Sequence, residues 1–292
     1  MNKKSFKVNY KKIVFVVTAF ILILSFFYIK LFRSDIVYGA KEQLKAKENI
    51  SLIAKSFEGN IKNIDLGSDD IEINNNLILV NNKNSINNLK IKENLVEYKD
   101  TGLLVDKHIV DSLDELIYYG KQETDENLFI MSSFRDPIEQ KNLYLNDKRH
   151  AQKPNHSEHE TGLALDFYTD FLAGRNILKS DIGKFLYTDS YKYGFILRYP
   201  LFKKHITGIS YEPWHLRYTG SPHSEIIYKT NSTLEEYIEK LKQKDYFLFN
   251  NYYISYQEEK DGKIKVPSTY ENISVSPDNT GGYIITARVN KN

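Results

Sequence analysis

Five of the seven histidines fall in one third of the chain, at His150, His156, His159, His205 and His215. Two stretches there set imidazoles beside carboxylates. The first is Ser157-Glu158-His159-Glu160-Thr161-Gly162-Leu163-Ala164-Leu165-Asp166. A strand over Gly162–Phe167 would turn Gly162, Ala164 and Asp166 to one face and Leu163, Leu165 and Phe167 into a core, because alternate side chains share a face. Two small residues beside a carboxylate leave space for an ion and a ligand. The second is Glu212-Pro213-Trp214-His215, a carboxylate three residues before an imidazole. His159, Asp166 and His215 together supply two nitrogens and one oxygen, a donor set suited to one catalytic Zn2+ with the fourth position left to water. Glu212 would stand beside the ion without binding it, placed to take a proton from that water and pass it to a leaving amine. Each piece has an ordinary alternative: a lone histidine is usually a surface or core residue, and an Asp ending an apolar strand is usually a turn residue. The combination carries the weight. His205, between Lys203, Lys204 and an apolar residue, reads as surface, and His156 as an exposed loop histidine.

A third element lies upstream, Ser132-Ser133-Phe134-Arg135-Asp136-Pro137-Ile138-Glu139-Gln140. Asp136 is a natural N-cap, Pro137 fits the first helical position and Glu139 completes the capping spacing. Arg135 therefore sits where a buried strand hands over to a helix N-terminus. That place suits an anion, and a guanidinium can hold a carboxylate with two parallel hydrogen bonds. Gln140, about one turn in, could reach the same ligand. The competing reading pairs Arg135 with Asp136 or Glu139 on the surface.

The three elements resemble the signatures of the VanY-type zinc D-alanyl-D-alanine carboxypeptidases, S-x-x-R-x-x-x-x-Q, S-x-H-x-x-G-x-A-x-D and E-x-W-H, read here as Ser132–Gln140, Ser157–Asp166 and Glu212–His215. Tyr193–Pro200 and Glu212–Gly220 are similar to the family as well, so the likeness covers roughly residues 76–241. It implies that His159, Asp166 and His215 bind zinc and that Glu212 is the catalytic base. It further implies that Arg135, Gln140 and Ser157 hold the terminal carboxylate and neighbouring peptide oxygen, and that Trp214 lines or buttresses the site. Phe134 departs from the family, where Tyr is more usual. The implied substrate is a peptidoglycan stem peptide or lipid-linked precursor. An L,D-carboxypeptidase, an endopeptidase of the same fold and a zinc-containing wall-binding module without turnover are the alternatives; the presence of both Glu212 and Arg135 speaks for turnover.

The elements around these residues point to α+β. Apolar spacing predicts helices over Val105–Tyr119, Ile138–Leu145, Ile182–Tyr193 and Thr233–Lys244. Strands are expected at Leu77–Val80, Leu128–Met131 (buried), Gly162–Phe167 and Phe195–Tyr199. Three more are expected at Phe247–Gln257, Lys263–Pro267 and Gly282–Val289, divided by turn signals. Without a βαβ rhythm, a small antiparallel sheet with flanking helices follows. The resemblance makes it a Hedgehog/DD-peptidase-like zinc fold. Residues 1–33 read as a cytoplasmic tail and signal anchor, 34–75 as an extracellular tether with a short helix at Lys41–Phe57, 76–241 as the zinc domain and 242–292 as a β-rich extension.

Charge supports that order. The first 33 residues carry seven Lys/Arg and no acid, and the remainder carries 33 Lys/Arg against 38 Asp/Glu. An uncharged run, Ile13–Ile29, with Lys3, Lys4, Lys7, Lys11 and Lys12 before it and Lys30 and Arg33 after it, predicts a membrane span with the body outside the cell. A signal peptide cleaved near Val37-Tyr38-Gly39-Ala40 is the rival. An acidic body argues against nucleic acid as a partner. Zero Cys excludes thiolate sites, and no P-loop, dinucleotide fingerprint or serine-hydrolase elbow is present.

Overall fold

A computed structural model describes residues 10–45, 50–57, 59–86, 91–148, 151–258 and 260–289. Lys3, Lys4, Lys7 and His150 lie outside them. The helices are α1 (Tyr10–Phe32), α2 (Ser34–Leu44), α3 (Val110–Thr124), α4 (Pro137–Asn146), α5 (Asp181–Asp189), α6 (Lys204–Thr207), α7 (His223–Lys229) and α8 (Leu234–Leu241). The strands of the catalytic half are β4 (Leu95–Glu97), β5 (Leu104–Asp106), β6 (Phe129–Ser132), β7 (Ala164–Tyr168), β8 (Phe195–Leu197) and β9 (His215–Tyr218). Those of the other half are β1 (Ile53–Lys55), β2 (Ile61–Asp65), β3 (Ile71–Ile73), β10 (Tyr246–Phe249), β11 (Tyr252–Gln257), β12 (Lys263–Pro267), β13 (Tyr270–Pro277) and β14 (Tyr283–Val289). The architecture is mixed α+β with small sheets, as expected.

The catalytic half is built on an antiparallel sheet ordered β6-β7-β9-β8. The apolar faces of α3 (Leu113, Leu116) and α5 (Ile182, Leu186) close over Leu165, Phe167, Phe195 and Leu216 of that sheet. Their amphipathic spacing buries one stripe of each helix, which is where most of their stability arises. The expected burial of Leu128–Met131 is corrected: β6 is an edge strand with Phe129 and Met131 exposed, and only Leu128 is buried. The helix expected from Val105 begins at Val110, because Leu104–Asp106 pairs with β4. Strand β7 begins two residues later than expected. Gly162 instead ends a 3-10 turn, Glu158–Thr161, at φ 73°, where an added Cβ would meet the Asp106 backbone nitrogen at 2.8 Å.

Residues 34–75 are not a plain tether. The helix falls at Ser34–Leu44 rather than Lys41–Phe57, and β1, β2 and β3 join the C-terminal strands. The second half is a six-stranded sheet, β1-β10-β11-β14-β13-β3, beside the pair β12-β2. Its alternation is regular. Ile254 and Ile284 face α7 and α8, while Tyr253, Ile285 and Ala287 face Ile64, Ile264 and Val266 of the β2–β12 pair. The single strand expected over Phe247–Gln257 is a hairpin, turning at Asn250 (φ 52°).

Leu77–Val80 is buried but is no strand. Its amides bond to the Ser276 hydroxyl and the Asp278 carbonyl instead of a ladder. Leu77 and Leu79 enter the core of α7 and α8, while Ile78 and Val80 enter the core under α3 and α5. This segment joins the two halves.

Candidate active site

Register assembles the site. In β7, Asp166 lies opposite Ser132 of β6 on one side and His215 of β9 on the other. The 3-10 turn before β7 brings in His159. The donor atoms of His159, Asp166 and His215 lie within 4.8 Å of one another, and all three side chains are buried.

The proton positions follow from their partners. His159 Nδ1 lies 2.8 Å from the Ser133 carbonyl, which can only accept, so Nδ1 carries the hydrogen. Its Nε2 then offers a lone pair 3.2 Å from Asp166 Oδ2. His215 Nδ1 is 2.9 Å from Asp166 Oδ1. Two imidazole nitrogens aimed at one carboxylate need a proton or a cation between them. Without a metal, burial favours the neutral form of His215, but the hydrogen bond to Asp166 and the nearby negative charge of Glu158 and Glu212 outweigh it and raise its pKa to about 9. Burial pulls His159 the other way, downward. Burial would also raise Asp166, yet the two histidines hold it well below the usual carboxylate range. Two nitrogens and an oxygen in this arrangement fit a divalent metal, and a neutral-His, ionised-Asp set is what a zinc site requires.

Glu212 is half-buried, with Oε2 4.0 Å from His215 Nδ1. Without a metal, burial raises its pKa to about 7. Arg135 donates from Nε to Ser132 Oγ (3.0 Å), from Nη1 to Gln140 Oε1 (3.1 Å) and from Nη2 to Asp166 Oδ2 (3.3 Å). The alternative pairing with Asp136 is excluded by Asp136 itself, whose carboxylate caps α4 through the amides of Ile138 and Glu139. Gln140 is buried and donates to the Gln152 carbonyl at 2.7 Å. Ser157 is buried at the N-cap of the His159 turn, and its amide donates to Glu160. Trp214 is half-buried against the core under the sheet. His205 is exposed, as expected; His156 is half-buried instead, with Nδ1 2.7 Å from the Asn81 carbonyl.

Sequence reading passed over the support behind these residues. Glu158 is fully buried, and its Oε1 accepts from Arg198 Nε and Arg217 Nη1, both at 2.8 Å. Arg198 reaches on to Glu235, and Arg217 to the Asn76 and Ile78 carbonyls. Burial alone would raise Glu158, but the two guanidiniums hold it below its usual range. Its other oxygen, Oε2, has no hydrogen-bond partner and faces His215 Nε2, equally unpartnered, at 3.8 Å. The available signal was an Arg interrupting each of two apolar strands, Phe195–Tyr199 and His215–Tyr218.

Residues 102–221 match the VanY family profile, described as D-alanyl-D-alanine carboxypeptidase. A D-alanyl-D-alanine carboxypeptidase of Enterococcus faecium is 32% identical over 232 residues, covering 72% of this chain and 74% of that protein. The vancomycin-resistance D,D-dipeptidase VanXYg, solved with a D-Ala-D-Ala phosphinate analogue, superposes with TM-score 0.67 at 29% identity, covering 79% of this chain and all of that one. A vancomycin-resistance D,D-pentapeptidase VanY variant, solved with Zn(II), gives TM-score 0.51 at 29% identity over 56% of this chain and 98% of its own. The LD-carboxypeptidase LdcB gives 0.52 at 31% identity over 63% of this chain and 97% of its own.

Proposed function

This chain belongs to the VanY family of D-alanyl-D-alanine carboxypeptidases, and from that premise we propose that it is a membrane-anchored zinc D,D-carboxypeptidase with a Hedgehog/DD-peptidase-like catalytic fold. Its substrate is a peptidoglycan stem peptide or lipid-linked precursor, from which it removes the terminal D-alanine. The observation that carries the reading is the convergence of His159, Asp166 and His215, with Arg135 3.3 Å from the same Asp166 carboxylate and Glu212 4.0 Å from His215.

His159, Asp166 and His215 would hold the ion. When bound, zinc supplies Lewis acidity to the scissile carbonyl and to a water. Arg135, braced by Ser132 and Gln140, receives the substrate's terminal carboxylate, with Ser157 and Trp214 beside it. Glu212 takes the proton of the attacking water and delivers it to the departing D-alanine amine. The Ser133 carbonyl keeps the outer hydrogen of His159 turned away from the site, and the Glu158 carboxylate, 3.8 Å from His215 Nε2, orients His215 by charge.

Helix α1 supports the anchor: it has 23 residues, none buried, and is long and apolar enough to cross a membrane; the lysines that precede it argue for the body outside. The rival cleavage site, Val37–Ala40, lies inside α2, where Gly39 is buried against the body. We divide the chain as 1–33, anchor; 76–241, zinc domain; and 242–292, an extension whose sheet also recruits strands from 53–73.

The test uses the full chain in detergent with zinc, offered pentapeptide and tetrapeptide muropeptides. Release of D-alanine from the pentapeptide is expected. Chelation should abolish it, and Glu212→Gln should lower kcat by about 10²–10⁴-fold, the usual worth of a general base. Full activity in Glu212→Gln would defeat the mechanism. The likeness to LdcB favours a second reading, L,D-carboxypeptidase activity. Release from the tetrapeptide alone would select it, an internal cut would select an endopeptidase, and binding without turnover a wall-binding module.

A further inference from the structure

Glu212 also lines a second space, a cleft of about 190 Å³ whose described lining includes neither His159 nor His215. One wall is the end of α4 and the loop behind it, with Tyr144, Lys148 and Lys153. The other is α6 and its following turn, with Lys204 and Ser210. The two walls come from segments more than fifty residues apart in sequence, yet both present lysine. Lys148, Lys153 and Lys204 are exposed, and Lys204 donates to Ser210 Oγ at 3.1 Å. The neighbouring Lys203 is excluded, since its ammonium is held by Glu236 at 2.9 Å. Apart from Glu212 the lining contains no acid among the described residues. Residues 34–292 as a whole carry more acid than base, so this concentration of positive charge runs against the body's own balance.

We propose that this cleft is a subsite for a free carboxylate on the substrate, upstream of the scissile bond. The inference rests on the carboxypeptidase reading. In that reading Arg135 takes the last carboxylate of the peptide, so the chain ends there, and the cleft, which Glu212 lines and Arg135 does not, receives what precedes the bond. Ammonium groups from two walls select an anion over its neutral amide through charge-assisted hydrogen bonds. A γ-linked acidic residue supplies such a group and amidation of that residue removes it. The cleft thereby makes the enzyme sensitive to the amidation state of the stem.

Two pentapeptides differing only in a free or amidated γ-linked glutamate, given to the full-length zinc-loaded enzyme, test this. The acid form is expected to have a kcat/KM about tenfold higher, expressed mainly in KM. Raising the ionic strength should shrink that ratio, because exposed charges are screened. The combined Lys148→Gln, Lys153→Gln, Lys204→Gln variant should bring it to about one, and Lys153→Glu should invert it. Equal turnover of acid and amide by the unaltered enzyme would overturn the subsite and leave the carboxypeptidase reading intact. A ratio unchanged by the lysine variants would overturn it too. Release of D-alanine from neither peptide would defeat the underlying reading together with this one.

Discussion

Two buried histidines, one in the metal-ligand cluster and one against the C-terminal sheet, differ in what their nitrogens meet. His223 begins α7 at the border of the C-terminal sheet, and both ring nitrogens have neutral partners, Tyr237 Oη at 2.7 Å and Thr286 Oγ1 at 2.8 Å. Burial lowers its pKa to about 3, so it is a neutral strut. His215 is as deeply buried, yet it faces three carboxylates, Asp166, Glu158 and Glu212, and its Nε2 has no hydrogen-bond partner. A structural histidine is satisfied by its surroundings, as buried polar groups normally are. A functional one is surrounded by more negative charge than it can neutralise, which is a deficit a cation fills.

The sharpest way to break that contrast is metal content. His159→Ala and His215→Ala should each fall from one zinc per chain to none by atomic absorption, while His223→Ala keeps its zinc despite being less stable. Zinc lost equally in all three would erase the distinction. Next comes Glu158→Gln. Removing a carboxylate between two buried guanidiniums should destabilise the fold by about 3–5 kcal/mol in denaturant titration. Loosening His215 should also weaken zinc by about 10–100-fold in a competition titration, the usual worth of such outer partners. Unchanged affinity would show Glu158 to be a strut like His223. The smallest effect is on pH. His223 titrates near 6.5 when unfolded but near 3 when folded, so below 6.5 the unfolded chain binds a proton that the folded chain refuses. Its contribution is complete above pH 6.5 and is lost as pH falls toward 3, at about 1.4 kcal/mol per unit. Stability of His223→Gln measured against the parent from pH 7 to 5 should show the parent losing the steeper share; parallel curves would mean that His223 is not buried neutral.

This contrast also explains what could be read from the sequence. The first-line residues were legible because each sits in a dense local pattern: Asp136-Pro137 announces a helix start, Asp166 follows the run Gly162–Leu165, and His215 stands three residues after Glu212. Glu158 was visible but mute, since beside His159 and Glu160 it reads as one more surface charge. Its role depends on Arg198, just past β8, and Arg217 of β9, which arrive from elsewhere in the chain. The segment before residue 76 failed for a related reason. Strands of three residues, such as Ile53–Lys55 and Ile71–Ile73, carry no usable period, and only pairing with β10 and β13 defines them. Leu77–Val80 reads as a strand by composition, but its alternation serves two cores rather than a ladder.

Helix α2 ties the body to the end of α1. Arg33 follows α1 and grips Asp35 at 3.0 Å through two bonds. Tyr38 meets the Tyr187 ring edge-on at 5.6 Å, and Gly39 comes so near Tyr211, the neighbour of Glu212, that an added Cβ would stand 2.7 Å from its hydroxyl. A loose linker over residues 34–75 would let the cleft wander through a sphere some 35 Å in root-mean-square radius. A bracket one residue beyond the span does not. With α1 in a bilayer, as proposed, the cleft would stay close to the membrane face rather than range the full length of a tether.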